Sequence, residues 1–419
     1  MFKDEEYSFL SDRVYLIDPK HKNFSSEFKE NSSWQMDTKE FKILKLMENS
    51  TGLQAVAVAS VDNDTEVDLS HIVIAYAGTN SRDLKDLETN VRSIINAYGN
   101  RPFATLSEKE FNHLLLSVTG LKTAGQVDAA RLFSNEVKKK YPHSTISTTG
   151  HSLGGFLALY VAAENQWESV GFNSPDPYDL LSVEAKKWVK ENPGMLTNYR
   201  NKLDILGNFG GNQTNAEIRI HMGNKWEDLW KAHGLNTWKF DQSGTLIIPE
   251  KVDNLEAYHR RQTNQIRVFY AKRQLEIDSL RKKLSTSMGE LSHNEKIYLE
   301  DTQADLVVQS ISKHINHAMD QVISINKKAI YDLEKNWQET LSRARQTAPS
   351  LSETELLEIL ASAGATRVYL VDSPKKIFKQ RIGQAKEIVK QFDLLAKEIQ
   401  TKINHLLQQD HALALQIKR

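Results

Sequence analysis

The sequence predicts an α/β domain with a mainly parallel sheet, followed by an all-α, elongated helical bundle. Three observations point there. Sixteen of the 19 glycines, seven of the nine prolines and six of the seven tryptophans precede residue 250, and glycine and proline punctuate short elements. In that first part, apolar β-branched runs alternate with helical patterns, as they do around parallel sheets covered on both faces. Beyond it, apolar residues step by three and four almost throughout, which is the spacing of packed helices. A chain of 419 residues exceeds what one core usually fills, so we expect two domains, 1–248 and 249–419.

Five runs read as buried strands: "LQAVAVASV" (53–61), "HIVIAYA" (71–77), "STISTT" (144–149), "SVGFN" (169–173) and "EIRIHM" (217–222). "LTNYRN" is a sixth candidate. Helical patterns lie around Glu108 to Lys140 and Leu153 to Asn165. In the second part Val308, Ile311, Ile315, Ala318, Val322, Ile325 and Ala329 form a coiled-coil-like seam. Ile388, Phe392, Leu395, Ile399, Lys402 or Ile403, and Leu406 continue that alternation near the C-terminus. Ser292 with Glu295 and Ser352 with Glu355 have capping-box spacing, and Ser373-Pro374 reads as a cap before an N1 proline. "TRVYLVD" (366–372) interrupts the helices and reads as a strand or an extended link.

Composition narrows the function classes. With 40% hydrophobic and 26% charged residues, the chain reads as globular. No apolar run approaches the ~20 residues of a membrane span. The N-terminal "MFKDEEYSFLSDRVYLIDP" is acidic and lacks the basic start and apolar centre of a signal peptide. The absence of cysteine excludes disulfides, thiolate catalysis and cysteine-ligated zinc. Beyond residue 250 there are 27 Lys and Arg against 21 Asp and Glu, and in residues 1–250 there are 27 against 33. The resulting charges of +6 and −6 argue against nucleic acid as a partner.

The chemistry centres on Gly150-His151-Ser152-Leu153-Gly154, the G-x-S-x-G spacing of a nucleophile elbow. A β-rich run precedes it and "LGGFLALYVAA" follows, so the strand–turn–helix context fits. Gly150 and Gly154 leave room where side chains would collide with neighbouring elements. A serine hydroxyl needs a base to become a nucleophile. His233, in a turn-rich stretch after the last clear strand, is favoured over His221 within an apparent strand. His113 on a helix and His151 in the elbow are weaker candidates, since His151 is expected to point away from the reaction centre. The acid that holds the imidazole is expected at Asp204, after "LTNYRN", with Asp176 second. Asp179 sits in the same turn as Asp176, and Asp228 lies only five residues before His233. An oxyanion hole needs two N–H donors. Leu153 follows the nucleophile and supplies one; Gly78-Thr79, at the end of an apolar strand, offers the other through Thr79. Bound as a structural turn, Ser152 would need none of these companions.

With "VIAYAGTN" (73–80), "TGHSLGGFLALY" (149–160), "NKLDIL" (201–206) and "AHGL" (232–235) in place, the first 245 or so residues resemble the class 3 lipase branch of the α/β-hydrolases. The family's aromatic residue just before the Gly-Thr pair is shifted here to Tyr76-Ala77-Gly78. The resemblance implies hydrolysis of carboxylic esters of lipids, acylglycerols or phospholipids, with no metal or other cofactor. In architecture the whole chain is similar to the lipase effectors of Gram-positive type VII secretion (TslA-like), with an LXG-like helical domain placed after the enzyme. That second resemblance implies small helical partner proteins along the bundle and an inhibitor, or immunity protein, in the producing cell. It also implies a cytoplasmic protein exported without a cleaved signal, acting as an antibacterial or virulence effector.

Other features have blander readings. His314 and His317 in "KHINHAMD" have metal-ligand spacing on one helix face, but no third ligand is obvious nearby, so they read as solvated bundle histidines. The basic stretches "KVDNLEAYHRRQ" and "SPKKIFKQR" could make transient contact with anionic lipid or form solvated helix faces. Residues 97–116 could form a lid or a plain loop before a helix. The rival function is a helical interaction protein whose hydrolase fold is an inactive binding module.

Overall fold

The computed structural model describes residues 2–37, 39–49, 52–61, 66–78, 123–204, 206–208, 211–223, 229–250, 252–288, 291 and 293–417. Among these the chain divides into two compact units, Met1–Tyr258 and His259–Arg419. No helix of the described residues is long and apolar enough to cross a membrane.

The first unit is built on an eight-stranded sheet whose strands lie in chain order: β1 (Ser33–Met36), β2 (Lys39–Glu48), β3 (Gln54–Val61), β4 (Val67–Tyr76), β5 (Thr145–His151), β6 (Glu168–Phe172), β7 (Leu196–Asn201) and β8 (Glu217–Ile220). Pairing is antiparallel from β1 to β4 and parallel from β4 to β8. The antiparallel strands β1 and β2 escaped the sequence reading: β1 is only four residues long, and β2 carries charges at Lys39, Glu40, Lys42, Lys45 and Glu48. Helices α1 (Asp4–Arg13), α2 (Thr123–Lys140), α3 (Leu153–Asn165) and α4 (Val183–Glu191) cover the sheet. A short α5 (Leu229–His233) follows β8.

Strand residues alternate between two cores, as the pleat requires. Ala55, Ala57, Ile72, Ile74 and Tyr76 pack with Phe133, Phe156 and Leu157 on the side of α2 and α3. Val56, Val58, Val73 and Ala75 pack on the other side with Tyr7, Leu10, Val14 and Trp238. α1 was invisible as a helix in the acidic N-terminus, yet Tyr7, Leu10, Val14 and Ile17 step by three and four and are all buried. That stripe faces the sheet while Asp4, Glu5 and Glu6 occupy its first turn, where the helix dipole favours acids. β5 is unusually polar for a central strand. Its burden is met by α1: the Tyr7 hydroxyl donates to Ser147 Oγ (3.0 Å), and Ser11 Oγ lies 2.9 Å from Thr149 Oγ1.

The second unit holds all but the first residues of α6 (Leu255–Met288). That helix is followed by α7 (His293–Thr347), α8 (Glu353–Ser362) and α9 (Ser373–Ile417). Thr263 meets His317, and Gln274 meets Gln303, so α6 and α7 are antiparallel. Asn316 meets Asp393, and Glu334 meets Arg367 and Lys375, so α9 returns antiparallel along α7.

Three expectations for this unit are corrected. "TRVYLVD" is neither strand nor link: Val368–Asp372 is a π-helical turn leading directly into α9. Val371 is buried there, and Arg367 and Lys375 on either side both bind Glu334, so tertiary contacts override the β-branched propensity. Ser373 is accordingly helical rather than a cap (φ −67, ψ −50); the widened turn precedes Pro374, which has no N–H to give. The expected seams are also covered only in part. On α7 Val308, Ile315, Val322 and Ala329 of the expected seam are half-buried, and so are Ser312, Asn316, Met319, Ile323, Ile330 and Leu333 of a neighbouring stripe that includes the buried Asn326 and Trp337, while Ile311, Ala318 and Ile325 are exposed. On α9 the buried or half-buried positions include Phe378, Ile382, Ala385, Val389 and Ala396 together with Phe392 and Ile403 of the expected seam, while Ile388, Leu395, Ile399 and Leu406 are exposed. Two apolar stripes share each helix, and periodicity alone does not say how much of each is covered. Ser352 and Glu355 do form a capping box, with Ser352 N–H donating to Glu355 Oε2 at 2.8 Å. Ser292 lies outside the described residues.

Candidate active site

The site gathers at the C-terminal ends of the parallel strands, where open α/β sheets collect their ligands. β5 ends at His151, and α3 begins at Leu153. Ser152 between them has φ 57 and ψ −127, outside the regions that non-glycine residues ordinarily occupy. Such strain is characteristic of a serine turned out at a strand–helix elbow. The backbone is held there by Ser152 N–H donating to Phe172 O (3.0 Å) and Phe156 N–H donating to Ser152 O (3.1 Å).

The glycines around the elbow are required by contact. A Cβ on Gly154 would strike Tyr76 O and lie 2.6 Å from Ala77 C; one on Gly150 would strike the Gly154 backbone. Gly155, next in line, would drive a Cβ into Ser174 Oγ. α3 therefore approaches the sheet more closely than any side chain at these positions would permit.

Ser152 Oγ lies 3.0 Å from Nε2 of His233, and Nδ1 of His233 lies 2.9 Å from Oδ1 of Asp204. A carboxylate only accepts, so Nδ1 carries the proton and Nε2 is left to accept from the serine hydroxyl. All three residues are buried, with 7%, 3% and 1% of their surface exposed, so the arrangement is shielded from competing water. Asp204 is itself held in place: Leu206 N–H donates to its Oδ1 and Gly207 N–H to its Oδ2, each at 3.0 Å. Gly207 has no room for a side chain, since a Cβ there would meet Asp204 Oδ2 and Asn173 C.

The rival residues do other work. Asp176 Oδ1 accepts from Tyr178 N–H, and its Oδ2 accepts from the Thr214 N–H and hydroxyl, so it ties a turn to the segment before β8. Burial raises its pKa. Asp179 lies in the short 3-10 turn Tyr178–Leu180. β8 ends at Ile220, so His221 follows the strand rather than lying in it; its N–H donates to Asn254 Oδ1. Asp228, His113, Thr79 and the 97–116 segment lie outside the described residues. Leu153 is the first residue of α3, so its N–H has no partner within the helix. Gly78 is described; a Cβ there would lie 2.5 Å from the Tyr15 hydroxyl and 2.6 Å from His151 O.

His151 is a correction. It does not point away from the centre: its ring centroid is 4.7 Å from that of His233, and its Nε2 lies 2.7 Å from the His233 carbonyl. The period-2 pleat explains this, because Ser147, Thr149 and His151 share one face of β5, the face turned to α1 and His233. Asn173, just after β6, also escaped the sequence reading. Its Nδ2 donates to the carbonyls of Ala232 (3.1 Å) and His233 (2.7 Å), and its Oδ1 accepts from Asn201 N–H (2.8 Å). Its positive φ of 51, common for asparagine, was its only local signal.

In the second unit, His314 Nδ1 lies 2.8 Å from Ser310 O and His317 Nε2 lies 2.8 Å from Thr263 Oγ1. Both rings are engaged within or between helices. Among the described residues, no group of three or more His, Cys, Asp or Glu side chains converges.

A strained serine between a parallel strand and a helix, with a histidine and a buried aspartate in chain order Ser, Asp, His, makes the first unit α/β-hydrolase-like. No family model matches the chain, and none of the curated proteins matches it. Among solved structures it is similar to a native Rhizomucor miehei lipase propeptide complex, at 18% identity and a TM-score of 0.30. That match covers 51% of this chain and 66% of the other. A deletion mutant of the same complex gives 18% identity and a TM-score of 0.28, over 51% and 64%. A mutant form of MDLA from Penicillium cyclopium gives 12% identity and 0.30, over 59% and 87%. The chain thus spans 66% and 64% of the length of the two Rhizomucor chains.

Proposed function

We propose that the first unit is a serine carboxylic-ester hydrolase acting on lipid esters, of lipase or phospholipase A type. The observation that carries this reading is the continuous Ser152–His233–Asp204 hydrogen-bonded chain, 3.0 and 2.9 Å long at its two links. Ser152 Oγ attacks the ester carbonyl while His233 Nε2 takes its proton; Asp204 stabilises the imidazolium that forms. The carbonyl oxygen becomes an oxyanion, received by the Leu153 N–H at the head of α3 and by the Thr79 N–H. Collapse breaks the ester C–O bond as His233 protonates the leaving alcohol. Water then repeats the sequence: His233 takes its proton, the hydroxide adds to the acyl carbon, and Ser152 leaves with the proton returned. Every step is carried by the chain's own residues.

The test is hydrolysis of short-chain esters and of phospholipid vesicles by the full chain, wild type beside Ser152→Ala. Lipid products lost in the variant are the expected result. A folded wild type inert on esters of every length would sink the enzyme reading in favour of a binding module.

For the second unit we propose small helical protein partners, as in the type VII effector resemblance, with an inhibitory immunity protein and export without a cleaved signal. The supporting observation is the set of exposed apolar residues, Ile311, Ala318 and Ile325 on α7 and Ile388 and Leu395 on α9. They flank the buried α7–α9 seam, a position suited to the apolar face of a further helix. Co-expression with a candidate helical partner, wild type against Ile325→Lys with Leu395→Lys, tests it: co-purification should be lost in the variant. Retention would remove these residues from the interface.

A further inference from the structure

The main-chain carbonyl of His233 receives two donors that the proton-transfer chain does not use. His151 Nε2 approaches it at 2.7 Å and Asn173 Nδ2 at 2.7 Å. A carbonyl only accepts, so His151 carries its proton on Nε2. Its Nδ1 is then an acceptor, and the Tyr15 hydroxyl stands 3.1 Å from it, nearer than the His151 carbonyl at 3.5 Å. Tyr15 belongs to the 3-10 turn Val14–Ile17 that continues α1. Hydroxyl, imidazole and carbonyl thus form one directed chain from the N-terminal segment to the backbone of the base.

We propose that His151, oriented by Tyr15, is a positioning residue for His233, fixing its main chain together with Asn173 so that the imidazole meets Ser152 and Asp204 at once. This rests on the hydrolase reading of the same site. The short α5 has few hydrogen bonds of its own with which to hold its last residue, and Gly234 follows immediately. The carbonyl clamp supplies the constraint from outside the helix. A 1 Å displacement of a reacting group can cost about 100-fold in rate, so a clamp on the residue that carries the base acts on turnover while touching no substrate.

The role demands a neutral ring. Two imidazoles whose centroids lie 4.7 Å apart repel if both are charged, and His233 must become cationic in every turnover. Burial, followed by the field of His233, lowers the His151 pKa to about 3. The tautomer is therefore fixed by Tyr15 and the charge by burial, and His233 can accept its proton without a charged neighbour.

The experiment uses the full chain with Tyr15→Phe, His151→Leu and His151→Gln, read by short-ester kinetics and by the low-field NMR resonance of the His233 Nδ1 proton. Glutamine places an amide N–H near the position of Nε2 and serves as the rescue. Loss of the clamp should lower kcat about 10-fold in His151→Leu with KM within about two-fold, and shift or broaden the resonance. His151→Gln should recover most of that loss, and Tyr15→Phe should lie between. An unchanged kcat and resonance in His151→Leu, or a glutamine no better than leucine, would overturn the proposal. Should His151→Leu fail to fold, Tyr15→Phe, which removes one oxygen, decides: an unaltered kcat and resonance refute the role. If the wild type turns over no ester, it is the hydrolase reading that fails. Positioning is then read on the resonance alone, upheld by its change in the leucine variant and refuted by its constancy.

Discussion

Nε2 of His233 stands 3.0 Å from Oγ of Ser152, across 81 residues of sequence. Replacing either atom removes the proton transfer that makes the hydroxyl nucleophilic. Ser152→Ala and His233→Ala should each lower kcat by about 1,000-fold or more on any ester the wild type cleaves. Neither should alter the circular dichroism of the folded chain. Equal activity in Ser152→Ala would remove the serine from the chemistry.

The two aspartates weighed for the acid should separate cleanly. Asp204→Asn presents an amide to His233 Nδ1 and favours the wrong tautomer, so kcat should fall by up to about 10,000-fold with little change in KM. Asp176→Asn weakens the ties to Thr214 and Tyr178 and should cost about 1–3 kcal/mol of stability. Its kcat/KM should stay within two-fold of wild type. Steady-state kinetics paired with urea melts distinguishes the two, and a rate loss confined to Asp176→Asn would reverse the assignment.

Two glycines on helices make a matched pair. Gly155→Ala forces a Cβ onto Ser174 Oγ and, at 2.7 Å, toward Gly150 O. It should destabilise the first unit by about 1–3 kcal/mol through overpacking. Gly383→Ala on α9 meets nothing within 4 Å and should stabilise the second unit by about 0.5–1 kcal/mol through helix propensity alone. Thermal melts of the two variants should move in opposite directions.

His151 also carries a pH signature. Its folded pKa of about 3 lies below the ordinary value near 6.5, so between those pH values the unfolded chain binds a proton that the folded chain refuses. Stability therefore falls as pH drops through that window, by at most ~1.4 kcal/mol per pH unit from this one group. His151→Gln, which does not titrate, should flatten the stability profile between pH 6.5 and pH 3. Parallel profiles for the two proteins would mean that His151 protonates without cost.

The strand–elbow–helix around Ser152 was legible because its constraints are local: glycines, a polar central strand and a small-residue helix are contiguous. Asp204 and His233 were readable only through their order along the chain and their place after strands. Tyr15, Asn173 and Gly207 were not readable, since each matters through a partner more than 25 residues away or through a cavity that only the fold creates. His151 was misjudged because the pleat that aims it could not be phased from composition. The partly covered seams of α7 and α9 show a related ambiguity, in which two apolar stripes on one helix have the same period and only the neighbours' positions decide how much of each is buried. α1 was hidden because its buried stripe is interleaved with acids that read as a solvated terminus.

The most direct test of the central claim is covalent capture of the nucleophile with a fluorophosphonate, located by peptide mass spectrometry on the full chain. One phosphonyl group on Ser152, lost in His233→Ala and in Asp204→Asn, is the predicted result. An unlabelled chain that is folded, or a label on any other serine, would contradict the site described here.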